Sequence, residues 1–321
     1  MAISKFLDPK NDVAFKKVFG SEKHKDILIH FINDILEIKG NDQIEGLEFL
    51  SPVQDAEIAY KKQSIVDVLC KDKNGVQIIV EMQVAPTKGF EKRAQYYAAK
   101  AYSRQLNSGQ EEDGKYQNLK EVIFIAIADC IIFKDKAEYK SDHVILDKNS
   151  HEHDLQDFSF TFIELPKFKK TNISELNTIL EKWCFFFKYA AKTSEEDLGK
   201  LIGSDLVIKQ AYDALSQFNW SEPELIAYDE EIKRIRDNIA ALDYQYDKGI
   251  EKGREEGMEK GREEGMEKGI EKGIEKGKAE GKLERNIIIA KNLLLLNISL
   301  DTISSATGLA IAELQKLKPN S

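Results

Sequence analysis

The sequence is poor in cysteine: Cys70, Cys130 and Cys184 are three in number and widely separated. An odd, dispersed set argues against a disulfide framework and against a cysteine-built zinc site, and it points to a reducing, cytoplasmic compartment. Long apolar runs are lacking too. The longest, Val122 to Ala128, falls far short of the roughly 20 residues a membrane helix needs, and Met1 to Lys10 has no apolar secretion signal. No membrane partner is expected. Positive charge is in deficit, with 47 Lys and Arg against 56 Asp and Glu and a net charge of -9. Unselective coating of nucleic acid needs many cationic phosphate contacts, so the charge argues against that class, whereas it does not exclude a local basic groove. Walker loops, dinucleotide fingerprints and nucleophile elbows are also absent.

What is present is enough apolar sequence, 42% of 321 residues, for one sizeable core with length left for a second element. Asn11 or Asp12 can cap a helix whose apolar positions Phe15, Val18 and Phe19, then Ile27, Leu28, Phe31, Ile32 and Ile35, recur at helical spacing, with a break near Gly20. Short β-branched runs follow at Ala56 to Tyr60, Ser64 to Cys70 and Val76 to Gln83. A helix is expected over Lys88 to Leu106, a central strand over Val122 to Ala128, and weaker strands over His143 to Leu146 and Phe158 to Leu165. Beyond Pro166 the chain reads as helical, with Trp183, Phe185, Phe186 and Phe187 as core. The order implies an α+β or α/β fold, of which α/β is taken as the expectation, in four parts: a core over 1–165, a helical extension over 166–247, a repeat over 248–282 and a small helical terminus over 283–321.

The repeat places glycine every four residues from Gly249 to Gly281. On an α-helix four residues advance about 400°, so the stripe drifts about 40° per step. Each mid-helix glycine costs about 1 kcal/mol relative to alanine, and the glutamates at 251, 255, 259, 263, 267, 271 and 275 add a like-charged row. A charged spacer and an oligomerisation helix that makes a homo-oligomer both stay open. In the terminus Asp301 reads as a helix N-cap and Gly308 as a turn, giving a helix-turn-helix-like unit whose outward residues are poorly suited to reading a major groove.

The sharpest chemistry lies in Ile65-Val66-Asp67-Val68-Leu69 and Ile78-Ile79-Val80-Glu81-Met82-Gln83, two acids inside apolar strands. A buried carboxylate is costly unless it is paired, protonated or bound to a cation. A two-residue turn at Asn74-Gly75 would set Asp67 opposite Met82 and put the acids on opposite faces. A three-residue loop, Lys73-Asn74-Gly75, with Gly75 left-handed, sets Asp67 opposite Glu81 on one face. Two carboxylates so placed can bind Mg²⁺. His151-Glu152-His153-Asp154 offers histidines but no supporting third ligand and reads as a surface loop.

An acid on one strand and Glu-x-Lys or Glu-x-Gln on the next resembles the PD-(D/E)XK nuclease superfamily, with Glu81-Met82-Gln83 as the glutamine form. Asn11 to Gly20, Arg93-Ala94-Gln95-Tyr96-Tyr97 with Tyr102 and Gln105, Tyr116 to Lys120 and the glycine-rich tail together resemble the recombination-promoting nuclease and transposase family. The resemblance implies a restriction-endonuclease-like mixed sheet flanked by helices. It further implies a divalent-cation-dependent DNA endonuclease linked to recombination, mobile elements or defence. Asp67, Glu81 and Gln83 are then the catalytic set, Asp67 and Glu81 the metal ligands with Asp12 as a candidate third, and Lys16, Arg93 and Tyr97 candidate substrate contacts. The competing expectation is a catalytically silent DNA-binding or scaffold protein assembled through its repeat.

Overall fold

The computed structural model describes residues 5–54, 64–107, 116–203 and 205–317. Two compact units divide the chain, residues 1–236 and 237–321.

The first unit opens with α1 (Asp12–Phe19), whose N-cap is Asn11: its side chain accepts from the N–H groups of Val13 and Ala14. Asp12 therefore sits in the first turn rather than capping. Gly20 ends the helix and α2 (Lys25–Ile35) follows, so the expected break is present. The strands are β1 (Leu47–Phe49), β2 (Val53–Gln54), β3 (Ser64–Ile65), β4 (Val68–Asp72), β5 (Gln77–Gln83), β6 (Val122–Ala128), β7 (Lys140–Val144) and β8 (Phe158–Glu164). Helix α3 (Phe90–Arg104) lies between β5 and β6, and α4 (Ile179–Tyr189), α5 (Glu195–Ile202) and α6 (Leu206–Leu215) follow β8.

Six strands form a mixed sheet in the order β1-β4-β5-β6-β8-β7, parallel at β5/β6 and β6/β8 and antiparallel elsewhere. Period-2 alternation gives it two apolar faces. Val68, Cys70, Ile78, Val80, Ile125 and Ile127 pack with α1, α2, α4 and α6, while Leu69, Ile79, Phe124 and Ala126 pack with Ala94, Ala98 and Ala101 of α3. Residues beyond Pro166 thus build the same core as the amino-terminal helices: Phe19, Phe31, Trp183, Phe186 and Phe187 share one aromatic cluster.

Several elements differ from the sequence expectation. The run Ser64 to Cys70 is not one strand, because Val66 and Asp67 interrupt it between β3 and β4. Val66 packs with Leu69 toward α3, away from Val68 and Cys70, which strict alternation would forbid. Strand β7 begins and ends earlier than His143 to Leu146, paired antiparallel to β8 from Lys140 to Val144. The expected strand at Ala56 to Tyr60 lies outside the described residues.

Helix α7 (Glu222–Leu295) begins in the first unit and runs into the second, through the whole glycine repeat. The repeat is helical and exposed, and a Cβ added at any glycine from 249 to 281 would meet nothing within 4 Å. Pairs such as Lys268–Glu264 at 3.7 Å and Lys276–Glu280 at 3.8 Å interleave the glutamate row. At this exposure each contributes little. In the second unit α8 (Leu300–Thr307) and α9 (Ile311–Lys316) close over Ala290 through Ile303, Leu309 and Leu314. The N-cap of α8 is Ser299, which accepts from the N–H of Thr302. Asp301, expected there, lies one step inside the helix, and Gly308 supplies the left-handed turn at φ 72°. No described helix is long and apolar enough to cross a membrane.

Candidate functional site

The register across β4 and β5 follows from the loop that joins them. Val68 faces Val80 and Cys70 faces Ile78, which carries Asp67 opposite Glu81 as the three-residue loop requires. Gly75 is left-handed at φ 86°, and the Asp72 carboxylate accepts from the N–H groups of Asn74 and Val76 at 2.8 Å. The loop length is set by that carboxylate and that glycine.

Both acids are held by peptide groups. Glu81 Oε2 accepts the N–H of Asp67 at 3.1 Å, and Asp67 Oδ2 accepts the N–H of Met82 at 2.8 Å. The interruption at Val66 and Asp67 has a cause here, because the Asp67 N–H is directed to a side chain instead of a ladder carbonyl. Burial pushes the Asp67 carboxyl up to about 6, with the Asp12 charge adding to the rise against Met82 N–H and Lys16. Burial also pushes Glu81 up to about 8, reinforced by the Asp67 charge and opposed by the Asp67 N–H, Arg93 and Lys16. The pair titrates as a unit whose proton affinity exceeds that of free carboxylates.

Cations reach the pair from two elements. Arg93 on α3 donates to Glu81 Oε1 at 3.4 Å and to Gln83 Oε1, and its guanidinium lies over the Phe90 ring at 4.8 Å and the Tyr97 ring at 5.8 Å. From α1, Lys16 pairs with Asp12 at 2.7 Å and stands 3.9 Å from Asp67 Oδ1. Asp12, Lys16, Asp67, Glu81, Gln83, Arg93 and Tyr97 are thus brought into one neighbourhood. The Gln83 amide is fully engaged: its oxygen takes Arg93, while its nitrogen donates to the Ala85 carbonyl and to Thr87 Oγ1.

Among the described residues no three His, Cys, Asp or Glu side chains form a metal-ligand set. The donor chemistry of the Asp67–Glu81 pair nevertheless fits a hard divalent cation, with a buried and a half-buried carboxylate side by side and described cations no closer than Arg93 and Lys16. His151 and Glu152 are exposed in the loop after β7, away from any such set.

Two contributors carry no sequence signal. Thr87 fixes the Gln83 amide from the loop before α3. Lys10 pairs with Asp129 at 2.7 Å, and the Asp129 N–H donates to the Gln83 carbonyl at 2.8 Å, extending β5 by one contact beyond β6. Both depend on loops whose course no periodicity reveals.

Comparison with known proteins accords with this geometry. Residues 9–245 match the family model described as PD-(D/E)XK nuclease family transposase. Residues 246–283, the glycine repeat, are similar to the model described as Essential protein Yae1, N terminal. Searches of curated proteins and of solved structures gave no match. The first model spans about three-quarters of the chain and takes in the mixed sheet, the acid pair and α3, so the chain belongs to the PD-(D/E)XK nuclease family of transposases.

Proposed function

We propose that the first unit is a divalent-cation-dependent DNA endonuclease in which Asp67 and Glu81 hold the cation, with Mg²⁺ the natural occupant of an all-oxygen site. The supporting observation is the pair itself: a buried and a half-buried carboxylate side by side, both with raised proton affinity, in a nuclease family. Such a cation lowers the pKa of its water and neutralises charge growing on a phosphate. Asp67 and Glu81 are held side by side by backbone N–H groups. Arg93 and Lys16 flank the pair and supply positive charge toward an incoming phosphate. Gln83 steadies Arg93, and Tyr97 lies against the guanidinium. Recombination, mobile-element movement and defence would all use this hydrolysis, and the exposed helical repeat supports assembly into a homo-oligomer.

The test is Mg²⁺-dependent nicking of supercoiled plasmid by the wild type beside Asp67→Ala and Glu81→Ala, with folding checked by circular dichroism. Nicking lost in both folded variants supports the reading. Equal nicking by all three overturns it, and nicking by none favours the silent DNA-binding or scaffold protein.

A further inference from the structure

We infer that Tyr96 is a stacking platform for an unpaired base, so that the site takes DNA in which a nucleotide near the scissile phosphate is single-stranded or flipped out. This deepens the DNA nuclease reading and rests on it.

Helix α3 buries Phe90 and the alanines Ala94, Ala98 and Ala101, and keeps its three tyrosines out of that buried set. Tyr97 and Tyr102 pack at the edge of the core, but Tyr96 does not, and it is 53% exposed. An exposed ring on a helix that already has its apolar face filled adds nothing to that core. Its position, however, is continuous with the acids. Glu81 binds Arg93, the Arg93 guanidinium lies 5.8 Å from the Tyr97 ring, and the Tyr97 and Tyr96 rings stand 6.1 Å apart at 51°. Three contacts lead from a candidate metal ligand to an open aromatic face.

The charge on this helix points to the same ligand. In a chain of net charge -9, α3 carries Lys92, Arg93, Lys100 and Arg104 against Glu91 alone. Lys92 is exposed one turn before Tyr96, so a phosphate at Lys92 and a base on Tyr96 can belong to one strand. A fully paired duplex hides its base faces in the stack, whereas an unpaired base offers its π face to an aromatic ring. Stacking of this kind does not depend on base identity, so the selectivity is for unpairing rather than for sequence.

The test uses the full chain with Asp67→Ala, in Mg²⁺, so that DNA binds without being cut. Two short duplexes of one sequence carry a fluorescent aminopurine, paired in one and facing a gap in the other. The expected result is roughly tenfold tighter binding of the gapped duplex with quenched fluorescence. Adding Tyr96→Ala brings the preference toward one and removes the quench, and Tyr96→Phe keeps both. Equal binding of the two duplexes without quenching overturns this proposal and leaves the nuclease reading standing. A preference and quench that survive Tyr96→Ala overturn it equally. Binding of neither duplex, by this variant or by the wild type in Ca²⁺, removes DNA as the substrate and takes both readings with it.

Discussion

Asp67 and Glu81 are locked to each other through the backbone, the N–H of Asp67 on Glu81 Oε2 and the N–H of Met82 on Asp67 Oδ2. Each carboxylate keeps one oxygen turned outward, Glu81 Oε1 toward Arg93 and Asp67 Oδ1 toward Lys16.

Glu81 makes cation-free stability depend on pH. Its folded pKa, about 8, lies above the value of about 4.3 expected in the unfolded chain. The folded state therefore retains a proton that the unfolded state releases, and the stabilisation present at acid pH is lost as pH rises toward about 8. In EDTA, Glu81→Gln should remove most of this decline. Urea midpoints measured across that range check it, and parallel wild-type and variant slopes would rule it out.

Arg93 donates to Glu81 and Gln83 through one terminal nitrogen, Nη2, while its planar guanidinium lies over the Phe90 and Tyr97 rings, a placement lysine cannot copy. Hydrogen bonds to charged groups contribute about 1.5–3 kcal/mol, so Arg93→Ala should lower kcat/KM for plasmid nicking by roughly ten- to a hundredfold. Arg93→Lys should fail to restore it. Restoration by lysine would show that charge alone matters there.

Gly75 holds the register that sets Asp67 opposite Glu81. Alanine at φ 86° is strained, and its Cβ would come within 3.2 Å of the Lys120 side chain. Gly75→Ala should cost about 1–2 kcal/mol, read as a lower urea midpoint with an unchanged slope. An unchanged midpoint would mean that the loop has another way to close.

The repeat should become more helical when its glycines are replaced. Gly261, Gly265 and Gly269 have open space around the missing Cβ, and each alanine favours the helix by about 1 kcal/mol. Circular dichroism on heating should show a later melt for the triple alanine variant. An earlier melt would reveal that the stripe closes against another chain in solution.

Much of this was legible in the sequence because it rests on local chemistry. Counting residues narrowed the Asp67–Glu81 relation to two registers, of which the structure has the one set by Lys73-Asn74-Gly75, and residue type narrowed the first cap to Asn11 or Asp12, of which it is Asn11. Loss of alternation at Val66 and Asp67 was not legible, since a strand pattern cannot show that one N–H will prefer a carboxylate fourteen residues away. The Arg93–Gln83 contact depends on how α3 lies across the sheet, a tertiary fact that helix periodicity leaves undetermined. Ser299 was missed as a cap for a simpler reason: Asp301 is as good a cap by residue type, and only the turn after Asn297 decides between them.

Gln83 carries one consequence further. Its amide cannot be reversed without setting its NH₂ against a guanidinium and its oxygen against the Ala85 carbonyl. A neutral strand residue has thereby become the docking point for a cation that belongs to a helix. Charge carried by a strand residue would be placed by the sheet alone, whereas the charge beside this acid pair is placed by the seat of α3, so the buried Ala94, Ala98 and Ala101 that fix that seat also set the polarity of the site.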